Sequence, residues 1–179
     1  MVTAASGETD SLKKAPDFVL RDFDGVRWEL KENLEKYPII INFWATYCKP
    51  CKKELVAFQK LYEKYEKKFE VVAVCEDTRK NLFKAKKVVL DKKLKFRMLW
   101  DKNCKVMREF QVSVLPTTFI LDKNGNIVYS QKGYKQEYDK IIEEKILELI
   151  KEDLETKPQN HETTGEHRGT QRKSFFIEI

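Results

Sequence analysis

Cys48 and Cys51 stand three positions apart in the run Trp44-Ala45-Thr46-Tyr47-Cys48-Lys49-Pro50-Cys51. Two sulfurs at that spacing can close a small disulfide ring. The run lies where the apolar stretch Ile39 to Ala45 gives way to an amphipathic one, which puts the pair at the first turn of a predicted helix. There the leading sulfur faces unpaired backbone N–H groups and the positive end of the helix dipole. That setting favours thiolate over thiol, and the thiolate is the species that attacks disulfides. The chemistry expected is thiol–disulfide exchange.

Cys48 is the expected nucleophile. Lys49 adds a positive charge beside it, and Pro50 suits a first helical turn, where a missing N–H costs nothing. Cys51, one turn deeper, is placed to resolve the mixed disulfide that Cys48 forms with a substrate. Glu54 follows on the same helical face as Cys51. It has two readings: a carboxyl that takes up and returns the proton of the resolving thiol, or a solvated helix charge. Trp44, Tyr47, Lys49 and Pro50 are candidate substrate contacts. Trp44 can alternatively pack the strand–helix junction, whereas Tyr47 fits an apolar rim for a polypeptide.

The elements that must hold these residues follow from periodicity. Phe18 to Leu20, a turn at Asp24-Gly25 and Val26 to Leu30 read as a β-hairpin. Ile39 to Ala45 reads as a buried strand. The next helix carries Leu55, Phe58, Tyr62, Tyr65 and Phe69 as one stripe. Val71 to Cys75, Phe96 to Trp100, Thr117 to Leu121 and Ile127 to Ser130 read as further strands. The last two flank Asn124-Gly125, a type I′ hairpin signal. Helices are expected at Arg79 to Lys92 with Leu82, Ala85 and Val89 inward, at Lys105 to Phe110, and at Gln136 to Leu154. The last has Ile141, Ile142, Ile146, Leu149 and Ile150 inward. The class is α/β, a mixed central sheet flanked by helices. Residues 1–14 read as a flexible lead-in, 15–154 as one domain and 155–179 as a disordered tail with an apolar end, Phe175 to Ile179.

Of the 179 residues 36% are charged, and the net charge is +6. From Arg79 to Arg97 the basic residues are Arg79, Lys80, Lys84, Lys86, Lys87, Lys92, Lys93, Lys95 and Arg97, against the single acid Asp91. No stacking aromatics or nucleic-acid module accompany them, so a solvated helix face is expected rather than a nucleic-acid site. No run approaches the ~20 apolar residues of a membrane span. The first residues lack the order of a secretion signal, which leaves a cytoplasmic protein or one whose leader precedes this sequence.

The order of elements, the Trp44 to Cys51 run and Leu115-Pro116-Thr117-Thr118-Phe119 resemble the thioredoxin superfamily. Ala15-Pro16-Asp17-Phe18 with Leu20, Asp22 and Gly25 narrows the resemblance to its extracytoplasmic thiol–disulfide oxidoreductases, the TlpA/ResA-like branch related to AhpC/TSA. That branch includes the cytochrome c maturation reductants. The resemblance implies a thioredoxin-like fold with an N-terminal β-hairpin and a βα insertion near Arg79 to Trp100. It implies a cis Pro116 against the dithiol, although an X–Pro bond judged alone is assumed trans. It also implies that the Leu115 backbone hydrogen-bonds a substrate strand. Thioredoxins carry a buried Asp six residues before the first Cys, where this chain has Asn42. Asn cannot shuttle a proton, and the branch has a Glu matching Glu54. The implied function is reduction of protein disulfides in the periplasm or on the outer face of a bacterial membrane, with re-reduction by a membrane thiol-transfer protein. A monomer without cofactor is expected.

Rival readings are a thiol peroxidase, a redox-regulated binding module and a metal site. Thiol peroxidases have a Thr three residues before the reactive Cys, but Thr46 is two before Cys48. A zinc site needs paired ligands at short spacing; Cys75 and Cys104 are far apart, and both histidines, His161 and His167, lie in the tail. Cys75 and Cys104 are expected near the carboxyl edge of the sheet. A second disulfide and two separate free thiols both remain open for them.

Overall fold

The computed structural model describes residues 13–65 and 68–155. The lead-in before Lys13 and the tail with its apolar end lie outside the described residues. Seven strands form one sheet: β1 (Val19–Asp22), β2 (Arg27–Glu29), β3 (Ile39–Trp44), β4 (Glu70–Cys75), β5 (Arg97–Trp100), β6 (Thr117–Leu121) and β7 (Ile127–Lys132). Their order is β2-β1-β5-β4-β3-β6-β7. The central β5, β4 and β3 run parallel, and antiparallel pairs flank them on both sides, β1 against β5 and β6 against β3.

The parallel centre explains the unbroken apolar runs. All six residues of β3 are buried, because both faces of the sheet are covered. Ile40 and Trp44 point to the face packed by Leu55 and Phe58 of α2 (Lys49–Lys64), Ala85 of α3 (Leu82–Asp91), and Ile142 and Ile146 of α5 (Tyr138–Glu155). Ile39, Ile41 and Phe43 point the other way, to Leu30 of the single-turn α1 (Leu30–Asn33) and Val106 of α4 (Lys105–Glu109). Asn42 therefore shares its face with α2, where Glu54 lies. The register Phe43↔Thr117 also brings the residue before β6, Pro116, beside the end of β3 from which the dithiol run departs. The Leu115–Pro116 peptide is cis.

Several expectations are corrected. Neither periodicity nor turn residues announce α1. The stripe of α2 ends with the helix at Lys64; Phe69 is buried from the connection that follows, edge-on to Tyr62. Ile141 stands 37% exposed, so the inner stripe of α5 is Ile142, Ile146 and Ile150 with Leu149 packed beside them. The Asn124-Gly125 hairpin is not type I′, which needs positive φ at both residues. Only Gly125 has it (φ 78°), and Asp122 closes a three-residue loop through Gly125 N–H to its carbonyl and its own N–H to Asn126 O. The Asp22-to-Val26 loop repeats the device, with Gly25 at φ 91°. In both, the Asp carboxylate accepts two backbone N–H groups of its loop. Near the chain start, Lys14 bridges Asn126, and Ile127 N–H donates to Lys13 O. No helix among the described residues is long and apolar enough to cross a membrane.

Candidate active site

At the end of β3 the chain turns through Cys48 N–H donating to Ala45 O, then enters α2. Cys48 is the N-cap residue, and its sulfur accepts the Cys51 N–H at 3.1 Å. Lys49 and Pro50 are the first two helical residues. Cys48 and Cys51 are joined in a disulfide with their Cα atoms 5.3 Å apart. The two sulfurs are unequal: Cys48 is 8% exposed and lines an open groove of about 580 Å³, whereas Cys51 is fully buried. Tyr47, Lys49, Pro50, Glu76, Met107, Ser113 and Leu115 complete that groove.

Glu54 is fully buried on α2, one turn past Cys51. Asn42 Nδ2 donates to its Oε2 at 2.7 Å, while Thr118 Oγ1 and Gln131 Nε2 approach Oε1 at 3.2 and 3.3 Å. Burial disfavours the carboxylate and pushes the pKa of Glu54 up to about 8, although the bonds from Asn42 and Thr118 pull the other way. The solvated-charge reading of Glu54 is thereby overturned. Near neutral pH this carboxyl mostly holds its proton, within reach of both directions of transfer.

A second buried carboxylate fixes the loop ahead of Cys48. Asp77, 2% exposed, accepts Thr46 N–H at 2.7 Å and Thr46 Oγ1–H at 2.9 Å, and its carbonyl accepts the Trp100 indole N–H at 2.7 Å. Tyr47 is 69% exposed at the rim, and its hydroxyl donates to the Glu76 carboxylate. That bond to an anion, helped by partial burial, raises the Tyr47 pKa.

Of the residues singled out in the sequence, the structure gathers Tyr47, Cys48, Lys49, Pro50 and Leu115 around one groove, with Cys51 and Glu54 beneath it. Trp44 is corrected: it is fully buried, packs the strand–helix junction and offers substrate no surface. Of the two readings open for Cys75 and Cys104, the structure shows free thiols. Cys75 donates to Asp77 at 3.3 Å, and burial raises its pKa. Cys104, in the left-handed conformation, occupies the N-cap position of α4 without a side-chain capping bond. Asp77, Thr118 and Gln131 were missed. Asp77 follows β4 at the carboxyl edge of the parallel sheet, a position that flags sites in such folds. Gln131 is a polar residue on an inward face of β7, and Thr118 pairs with Asn42 in register.

The AhpC/TSA family model matches residues 12–130. The chain is 40% identical over 117 residues to the thiol–disulfide oxidoreductase ResA of Bacillus cereus, covering 65% of this chain and 66% of that one. ResA of Halalkalibacterium halodurans is 35% identical over 140 residues, 78% of this chain and 76% of the relative. The alignments thus span about two thirds to three quarters of these relatives. Among solved structures, a putative thiol:disulfide interchange protein DsbE from Chlorobium tepidum superposes with TM-score 0.72 at 28% identity, covering 80% of this chain and 99% of its own. The fold is thioredoxin-like, and with its dithiol it defines a thiol–disulfide oxidoreductase. The chain belongs to the AhpC/TSA family.

The Glu54 environment makes stability depend on pH. In the folded chain Glu54 holds its proton to about pH 8, and in the unfolded chain only to the ordinary 4.5. Its contribution is therefore full below pH 4.5 and is lost as pH rises through 8. Urea denaturation at about pH 5 and pH 9 is expected to show a smaller loss for Glu54→Gln than for the parent. Equal losses would contradict the placement of the proton.

Proposed function

We propose that the chain reduces disulfides of polypeptide substrates, with Cys48 attacking and Cys51 resolving. The observation that carries this reading is the asymmetry of the pair: one sulfur borders an open groove and the other is sealed beneath it. In the reduced protein, Cys48 thiolate attacks a substrate disulfide. The substrate S–S bond breaks, a Cys48–substrate bond forms, and the first substrate thiolate leaves. Glu54 in its carboxylate form, the minority form near neutral pH, then takes the Cys51 proton, and Cys51 attacks the Cys48 sulfur. The second substrate thiolate leaves and takes a proton, for which Glu54 is the nearby source. The substrate gains two electrons and the Cys51 proton passed on through Glu54, its first thiolate takes its proton from solvent, and the Cys48–Cys51 disulfide remains.

The cis Leu115–Pro116 turn presents the Leu115 backbone on the groove wall for main-chain hydrogen bonds to an extended substrate. Tyr47, Lys49 and Pro50 form the rest of the contact surface. Similarity to ResA supports an extracytoplasmic site of action, and cytochrome c maturation as a setting. A membrane thiol-transfer protein would restore the dithiol of a monomeric enzyme whose domain spans residues 15–154. A peroxidase is less well served, because the partner sulfur is already bonded to Cys48 within the first helical turn.

With a disulfide-bearing polypeptide such as insulin, Cys48→Ala is expected to abolish exchange. Cys51→Ala is expected to accumulate mixed disulfides visible by mass spectrometry, and Glu54→Gln to slow resolution by about 10- to 100-fold. Turnover retained in Cys48→Ala would refute the nucleophile. Titration against glutathione should return a potential below about −200 mV; one near −120 mV, typical of strong oxidants, would reverse the direction of the reaction.

A further inference from the structure

The basic run between Arg79 and Arg97 divides in the structure. Lys86 pairs with Asp24 at 3.2 Å, Lys95 with Glu63 at 2.8 Å and Arg97 with Asp22 at 3.4 Å, so these cations are matched. A different part of the charge faces the redox pair. A second groove, about 680 Å³, lies between the start of α2 and the end of α3. Lys49, Lys52, Lys53 and Lys92 line it beside the apolar Val56 and Val88. Its one carboxylate, Asp91, is already paired with Lys87 at 3.2 Å. Among the described residues none of those four lysines forms an ion pair.

Lys49 belongs to both grooves, so the basic channel opens directly onto the one that holds Cys48. The Cys48 groove also holds Glu76. The lining thus passes from mainly positive in the α2–α3 groove to mixed charge beside the sulfur. Unmatched ammonium groups around an apolar strip attract carboxylates, accelerate encounter with an acidic chain and penalise a basic one. The lysine stems and the two valines supply contact for the aliphatic parts of such a segment.

We infer that the α2–α3 groove docks an acidic stretch of the disulfide-bearing substrate polypeptide and so orients it over Cys48. This rests on the exchange reading above and adds a substrate class to it. The helical rise from Cys48 to Val56 is about 12 Å, which an extended chain covers in about four residues. The recognised carboxylates therefore lie about two to four residues from the attacked cysteine, on one side of it only.

The test uses the reduced full chain and peptides whose single cysteine is disulfide-bonded to mercaptoethanol, with Asp-Asp, Ser-Ser or Lys-Lys three residues away. At low ionic strength the Asp-Asp peptide is expected to react about 10-fold faster than the Lys-Lys peptide, the difference shrinking to about twofold at 0.5 M salt. The double variant Lys53→Glu/Lys92→Glu is expected to lose the preference, while its rate with uncharged bis(2-hydroxyethyl) disulfide stays that of the parent. Equal rates for the acidic and basic peptides overturn the inference, as does a preference that survives in the variant. A variant slowed equally with the uncharged disulfide also overturns it, because the lysines then act on the sulfur and not on docking. If the parent fails to exchange with the uncharged disulfide, the exchange reading itself falls.

Discussion

The structure turns on one local interaction, the Cys48 sulfur capping the first turn of α2. A helix start leaves backbone N–H groups without intrahelical acceptors, and a side chain at the N-cap is the usual way to satisfy one of them. Here that side chain is a sulfur, bonded by the Cys51 N–H at 3.1 Å. The same group that completes the helix is the one that must carry negative charge in exchange. Capping and activation are one contact, so the chemistry cannot be removed without also disturbing the start of α2.

Everything around that contact holds it in place or tunes it. The parallel pairing of β3 with β4 and the antiparallel pairing with β6 deliver three segments to the same edge of the sheet: the dithiol run, Glu76-Asp77 and the cis turn at Leu115–Pro116. Asp77 anchors Thr46 through two hydrogen bonds, which fixes the chain two residues ahead of the sulfur. Below, Asn42, Thr118 and Gln131 converge on Glu54. An Asn in β3 gives that carboxyl a donor rather than a second acid, so a single proton is held near the buried sulfur without repulsion between two carboxylates.

Much of this was legible in the residues. The CxxC spacing at a strand-to-helix junction and the unbroken apolar run of β3 were sufficient to place the nucleophile and the parallel core, because both are set by local sequence. Resemblance was needed for the cis Pro116, since the residues by themselves favour trans. What escaped depends on contacts between distant segments. Asp77 looks like any loop acid until the β4 register carries it under Thr46. Gln131 and Thr118 look like ordinary strand polars until they meet over Glu54. Cys75 is a free thiol that bonds to Asp77, a contact no spacing rule reports. The end of α2 was overestimated because Phe69 keeps the apolar period while packing from outside the helix.

The most direct measurement is the ionisation of the Cys48 thiol in the fully reduced protein, followed by thiolate absorbance or by the pH dependence of alkylation. A helix start should hold that thiol well below the ~8.5 of free cysteine, with Cys51 ionising at higher pH. A Cys48 value at or above that of free cysteine would contradict the dependence of the site on the first turn of α2.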